Sequence, residues 1–265
     1  MSYEVAAMLL KSGAKILYVW AMRASNSLIM GNNRSLYRGE LPATGWHSHA
    51  APVLLIGLSG RFVLRFSHGH TESCYSAWID SGVEHVLDAC GEQVATMYLE
   101  PDAPDARRWR AHFATHGGIV LDPCIRAQAR SNMDTYLRNF DLDTLLRSGC
   151  ADVAPLDPRV AQSVNALRRP DGAAPGRAAL AQASGLSESR FNHLFRAEMG
   201  VSFRSYRVWS QVRGAMGALS ADSRLTQAAL AGGFVDSSHF SRMFRQTFGM
   251  TPSSVLKPLR DVTLI

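Results

Sequence analysis

The spacing of apolar residues changes once along the chain, from two-residue alternation to a helical repeat. Between about Leu36 and Pro101 the pattern is one of short strands and glycine-marked turns. "RFVLRF" puts Phe62, Leu64 and Phe66 on one face and Val63 and Arg65 on the other. The apolar run "VLLIGLSG" before it ends at Gly60, so the two make a candidate hairpin. "YSAWI", "HVLDA" and "VATMYLE" follow, divided by "DSG" and "CGE", and strands this closely spaced predict a small antiparallel barrel or sandwich. "PDAPDARRWR" reads as a proline-bearing boundary. Beyond it Ile125, Met133, Leu137, Phe140 and Leu145 recur at helical spacing. "DPRVAQSVNALRR" opens with Asp157 as N-cap and Pro158 at the first helical position. After the short linker "PDGAAPG", everything from Arg177 reads helical. Strands first and helices second predict two domains rather than one α/β sheet.

Within the helical half one unit occurs twice. "GLSESRFNHLFRAEMGVSF", Gly185 to Phe203, is echoed by "GFVDSSHFSRMFRQTFGMTP", Gly233 to Pro252. In each copy a short helix of small residues stops at a glycine suited to a left-handed turn. Ser187 caps the next helix in the first copy, and Asp236 or Ser237 does so in the second. Phe191, Leu194 and Phe195, and likewise Phe240, Met243 and Phe244, form a buried stripe at i, i+3 and i+4. Ser189, Arg190, Asn192, His193 and Arg196 are left facing out, as are Ser237, Ser238, His239, Ser241, Arg242 and Arg245. Two helices on a tight glycine turn, the second polar and basic outside, describe a helix-turn-helix whose second helix reads base edges. The connector "SFRSYRVWSQVRGAMGALSA" buries Tyr206, Trp209, Val212 and Met216 and offers Arg204, Arg207 and Arg213 to phosphates.

Charge supports this reading. The net charge is +6, and from Ala166 onward 13 basic residues face 6 acidic ones, so all the excess lies in the helical half. A polyanion is the partner such a half implies. The four cysteines, 74, 90, 124 and 150, show neither metal-ligand spacing nor a disulfide framework. The apolar run Val5 to Leu10 is too short to span a bilayer and is broken by Lys11 and Lys15. The expectation is a cytoplasmic protein with no membrane segment.

The motifs "LAQASGLSESRFNHLFRAEMGVSFRSY" and "AALAGGFVDSSHFSRMFRQTFGMTPSSV" resemble the DNA-binding domain of AraC/XylS-type transcription regulators. The resemblance implies a multidomain α and β protein, with an N-terminal antiparallel cupin-like β-barrel followed by an all-α domain bearing two helix-turn-helix motifs. Residues 12–105 are then an effector-sensing domain, 106–153 a helical linker and dimerisation segment, and 154–262 the DNA-binding domain, its units near 177–197 and 225–246. Carried over by position, Ser189, Arg190, Asn192 and His193 read bases in the first unit, and Ser237, Ser238, Ser241 and Arg242 in the second. Arg196, Arg207, His239 and Arg245 complete the expected DNA contacts. Double-stranded DNA, a small-molecule effector, RNA polymerase and a second copy of the chain are the implied partners, in a protein that is not an enzyme. Two departures bear on the spacing of the readers: Gln211 stands where the family often has Arg, and Gly214 and Gly217 each weaken the connector helix by about 1 kcal/mol.

At the sensor end, "GWHSHAAPVLLIGLSG" places His47 and His49 two apart on an expected strand, and His85 lies in a DxGxxH segment matching the second cupin motif, with Asp80 where proline is usual. Trp46, His47, His49, Arg65 and His85 are the candidate effector residues. Three imidazoles can also bind zinc or a similar ion with water in the fourth position. The stretch "AAPVLL" lacks the glutamate that completes the cupin ligand set, so a metal-free polar pocket is favoured. A metal-sensing regulator using His47, His49 and His85 is the rival, and a cupin enzyme fused to a DNA-binding domain a more distant one, because it needs the full set. "SHGH", Ser67 to His70, falls in a predicted turn.

Overall fold

The computed structural model describes residues 26–114, 117–122, 153–168, 174–219 and 225–265, together with 135 and 139. Strands β1 (Asn26–Met30), β2 (Arg34–Glu40), β3 (Val53–Gly57), β4 (Phe62–Phe66), β5 (Thr71–Cys74), β6 (Ser76–Ile79), β7 (His85–Asp88) and β8 (Gln93–Leu99) are followed by helix α1 (Pro104–Phe113) and strand β9 (Ile119–Leu121). With a C-terminal strand, β10 (Leu259–Leu264), they form a seven-stranded sheet in the order β10-β1-β2-β8-β3-β6-β9, opposed by the three-stranded sheet β5-β4-β7. Alternation assigns each face its own core. Val53 and Leu55 of β3 pack with Phe62, Leu64 and Phe66 between the sheets. Leu54 and Ile56, on the reverse face with Trp78 and Met97, are covered by Ala106 and Trp109 of α1. The result is the expected cupin-like barrel.

Two expectations change here. The segment read as a proline boundary begins a helix, because Pro104 sits at the start, where a missing N–H leaves no bond unmade. Within 106–153, assigned to a helical linker, α1 and β9 belong to the barrel instead, since β9 pairs with β6 through Ala77–Leu121 and Ile79–Ile119. The helical repeat from Ile125 to Leu145, Cys124, Cys150 and residues 12–25 lie outside the described residues.

The second half comprises α2 (Pro158–Arg168), α3 (Arg177–Ala183), α4 (Glu188–Met199), the connector α5 (Phe203–Gly217), α6 (Leu225–Ala231), α7 (Ser237–Phe248) and α8 (Pro252–Leu256). Aromatic rings fill both units: Phe203 lies 5.5 Å from Phe191 and 5.5 Å from Phe195, and Phe244 lies 4.6 Å from Phe248. The expected all-helical end at 262 is corrected by β10. This strand returns to the sensor and pairs in parallel with β1, Leu28 beside Val262 and Met30 beside Leu264.

The two halves share one core. At the β1–β2 end, the inner sheet face is covered by helices rather than by the second sheet. Leu28, Met30 and Tyr37 pack with Trp209, Val212, Phe244 and Phe248. A buried carboxylate fastens this seam. Glu100, just past β8, accepts from Trp209 Nε1 at 2.9 Å, from Arg168 Nη2 at 2.8 Å and lies 3.2 Å from Arg213 Nη1. Such a charge is tolerable when donors surround it, as they do here.

Candidate nucleic-acid interface and sensor pocket

Each reading helix is delimited by local chemistry. Ser187 caps α4 by accepting from Arg190 N at 3.3 Å, and Asp236 caps α7 by accepting from His239 N at 2.7 Å. Both helices end in a left-handed glycine, Gly200 (φ 76°) and Gly249 (φ 70°). The apolar stripe turns Phe191, Phe195 and Met199 of α4, and Phe240, Phe244 and Phe248 of α7, into the core. Ser189, Arg190, His193 and Arg196 are left exposed, with Asn192 half-buried. On α7, Ser237, Ser238, Ser241, Arg242 and Arg245 line one cleft, joined by Gln246 and Thr251. Gln246 was not singled out by the repeat, although it lies one turn beyond Arg242 on the same face.

Three expected DNA contacts sit differently. His239 packs edge-on against Phe234 with centroids 5.3 Å apart, so its ring belongs to the turn rather than the outer face. Arg207 is half-buried, 3.4 Å from the Ala174 carbonyl. Arg213, expected among the phosphate contacts, is engaged by Glu100 and donates to the carbonyls of Gly31 and Asn32. Gln211 has a structural partner as well: its Nε2 donates to the Gly233 carbonyl at 3.1 Å, in the turn that follows α6. Beside it, a Cβ on Gly232 would lie 2.7 Å from that of Ala215, so this glycine lets α6 close on the connector.

The three sensor histidines are brought together, all buried, with candidate ligand atoms within 4.8 Å of one another. His47 lies in an isolated bridge to His85 rather than in a strand. Ring centroids are 4.3 Å apart for His47–His85, 5.3 Å for His49–His85 and 5.9 Å for His47–His49. Each Nδ1 faces a backbone carbonyl: Gly45 at 2.9 Å, Ala51 at 2.5 Å and Val83 at 2.9 Å. A carbonyl only accepts, so each Nδ1 carries the proton and each Nε2 keeps its lone pair, the tautomer a metal ligand needs. His49 Nε2 is buried and has no hydrogen-bond partner among the described residues. Burial, reinforced by His47, lowers His85 to about 3, and burial also lowers His47 and His49. This donor set suits a divalent ion such as zinc; among the described residues no carboxylate joins it.

Two expected effector residues lie elsewhere. Arg65 projects to solvent from β4, because Leu64 and Phe66 take the inward positions and alternation turns it out. Trp46 is half exposed and lies in the α7 cleft beside the expected base readers. The apolar enclosure is instead at the seam, lined among others by Met30, Tyr37, Tyr98, Trp209, Met216 and Met250, with about 50 Å³ of free space. Tyr98 connects the two features: its ring meets His49 edge-on at 5.0 Å and Phe248 at 5.5 Å. No single segment signals this cavity, since its walls come from strands and helices far apart in the chain.

Residues 180–258 match a helix-turn-helix domain model. No curated protein sequence matches the chain significantly. Among solved structures, the chain is similar to apo ToxT from Vibrio cholerae, at 11% identity over 85% of this chain and 97% of that one, with a TM-score of 0.57. ToxT bound to (E)-4-(8-methylnaphthalen-1-yl)but-3-enoic acid aligns with a TM-score of 0.55 at 11% identity over 89% and 99% of the two chains. The same protein in its unsaturated-fatty-acid-bound form gives 0.52 at 12% identity over 90% and 98%. At these identities the likeness is one of fold, and it spans both domains. No described helix is long and apolar enough to cross a membrane. The helical half thus carries an AraC-type helix-turn-helix domain, and the chain as a whole has the two-domain fold of these structures.

Proposed function

We propose that the chain reads two successive major-groove segments of one duplex with α4 and α7, under the control of a small apolar effector at the seam between barrel and helices. The observation that carries the reading is the pair of capped helices, each burying its phenylalanines and turning serine and arginine outward within the basic half of the chain. Apolar walls favour an apolar occupant, and the bound acids named for ToxT are of that kind. The free space holds only a few waters, so an effector must push aside Met30, Met216 and Met250, whose unbranched side chains yield readily. Doing so moves the connector against the barrel. RNA polymerase and a second copy of the chain are the further partners in this reading.

Selection of duplexes from a random pool tests it. Arg242→Ala should lose about 1–3 kcal/mol and relax preference at one base pair, while Arg204→Ala, at an exposed position of the connector, should weaken all sequences alike and lower the salt slope by about 1. Uniform loss from both substitutions would remove Arg242 from the readers. Long-chain unsaturated fatty acid, added to the full chain, should raise its melting temperature; no shift at saturating acid would exclude that effector class.

A second reading rests on the three converging Nε2 lone pairs: a metal at His47, His49 and His85 as the sensed species. Metal analysis of the purified chain against His47→Ala separates the two, since only the metal reading expects stoichiometric metal that the substitution removes.

A further inference from the structure

Both reading helices are held by the sensor at the same place. Gly200 and Gly249 occupy equivalent positions in the repeated unit, and each is a left-handed C-cap. At the first, Arg110 of α1 crosses the glycine: its Nη2 donates to the Glu198 carbonyl at 3.0 Å, and a Cβ on Gly200 would lie 2.9 Å from the Arg110 Cζ. Arg107, on the same helix, reaches the Glu198 carboxylate at 3.4 Å. At the second, Gly45 N–H of the barrel donates to the Gly249 carbonyl at 2.7 Å, and a Cβ on Gly249 would lie 2.8 Å from His47 Nδ1 and 2.8 Å from Thr44 Cβ. A helix leaves its last carbonyls unpaired and its C-terminus negative. Here the sensor supplies donors to both ends, one of them a cation. The opposite, N-terminal ends, with Ser189, Arg190 and Ser238, stand free in solvent.

We infer that the barrel sets the spacing of the two readers by gripping both C-cap glycines, with Arg110 and the Gly45–His47 loop as positioning elements for DNA recognition. This rests on the DNA-reading assignment above and adds to it a role for barrel residues outside the two reading helices. The connector alone is a poor ruler, because Gly214 and Gly217 soften α5. Two grips on a barrel that shares a core with α5 and α7 supply the missing rigidity. Each base pair inserted between the two half-elements turns one of them by roughly a tenth of a revolution, so a fixed pair of readers tolerates one spacing and a loose pair several.

The test uses the full chain, a duplex selected with the wild type, and versions with the separation changed by one and two base pairs each way. Wild type should lose about tenfold or more in affinity per base pair of misfit, the order of one mismatched contact. Arg110→Ala combined with Gly249→Asn should flatten the profile to within about threefold; Asn keeps the left-handed cap but forces the Gly45–His47 loop away. Arg110→Gln alone provides a milder variant should the pair fail to fold, and should broaden the profile in the same direction. A profile as sharp as wild type in the folded variants, whatever the absolute affinity, would overturn the inference. If wild type itself binds no duplex, the DNA-reading assignment fails, a different result from an unchanged profile.

Discussion

Phe195 and Phe244 mark the same point in two successive units, each essentially fully buried. Phe195→Ala should destabilise the chain by about 3–5 kcal/mol, read as the unfolding midpoint in denaturant. A value below about 1 kcal/mol would mean the first unit is not built on this stripe. The three imidazoles make a different residue-scale prediction. In the metal-free protein the folded state holds fewer protons on these rings than the unfolded chain, where the ordinary value is 6.5. Stability from this cause is therefore complete above about pH 6.5 and falls as pH drops from there towards about 3, where His85 itself charges. The slope contributed by His85 should be about 1.4 kcal/mol per pH unit, and His85→Asn should remove it. Melting curves from pH 8 to pH 4 in the presence of a chelator check this, and equal slopes in both proteins would contradict it. Trp46, half exposed among the α7 readers, is a third handle. DNA should change the intrinsic fluorescence of the wild type more than that of Trp46→Phe.

At the scale of elements, what was legible in the sequence was local. The stripe Phe191, Leu194 and Phe195, the cap at Ser187 and the stop at Gly185 lie within one short stretch, and period, cap and glycine agree there. The histidine cluster was partly legible, because two of its members are only two positions apart and the third sits in a recognisable segment. Its tautomers were not, since they depend on backbone carbonyls placed by the fold. Helix α1 was hidden by Pro104, which punctuates a boundary and starts a helix equally well. Strand β10 was hidden because a parallel partner leaves no hairpin signal nearby. Removing residues 259–265 should cost on the order of 2 kcal/mol, from paired positions worth about 0.2–1 kcal/mol each. Calorimetry would show it as a lowered transition; an unchanged one would make the strand ornamental.

Across the whole molecule, the decisive contacts join residues that sequence keeps far apart. Glu100, Arg168, Trp209 and Arg213 come from the barrel, α2 and the connector, and nothing in the spacing of any one announces the others. Glu100→Ala leaves Arg213 and the Trp209 indole without their carboxylate and should cost about 3 kcal/mol, somewhat offset because Arg168 retains Asp102. Unfolding should then split, with barrel and helices melting apart, where the wild type melts as a unit. A single unshifted transition would show that the apolar seam suffices without the charge network.

The pairing of β1 with β10 also bears on how the protein comes into being. Its two partners lie almost at opposite ends of the described chain. During translation β1 waits, its hydrogen-bonding edge open, until every element from β2 to α8 has left the ribosome. An uncovered edge of this kind invites pairing with neighbouring nascent chains. Messages truncated before the last strand should accordingly yield aggregates in cells.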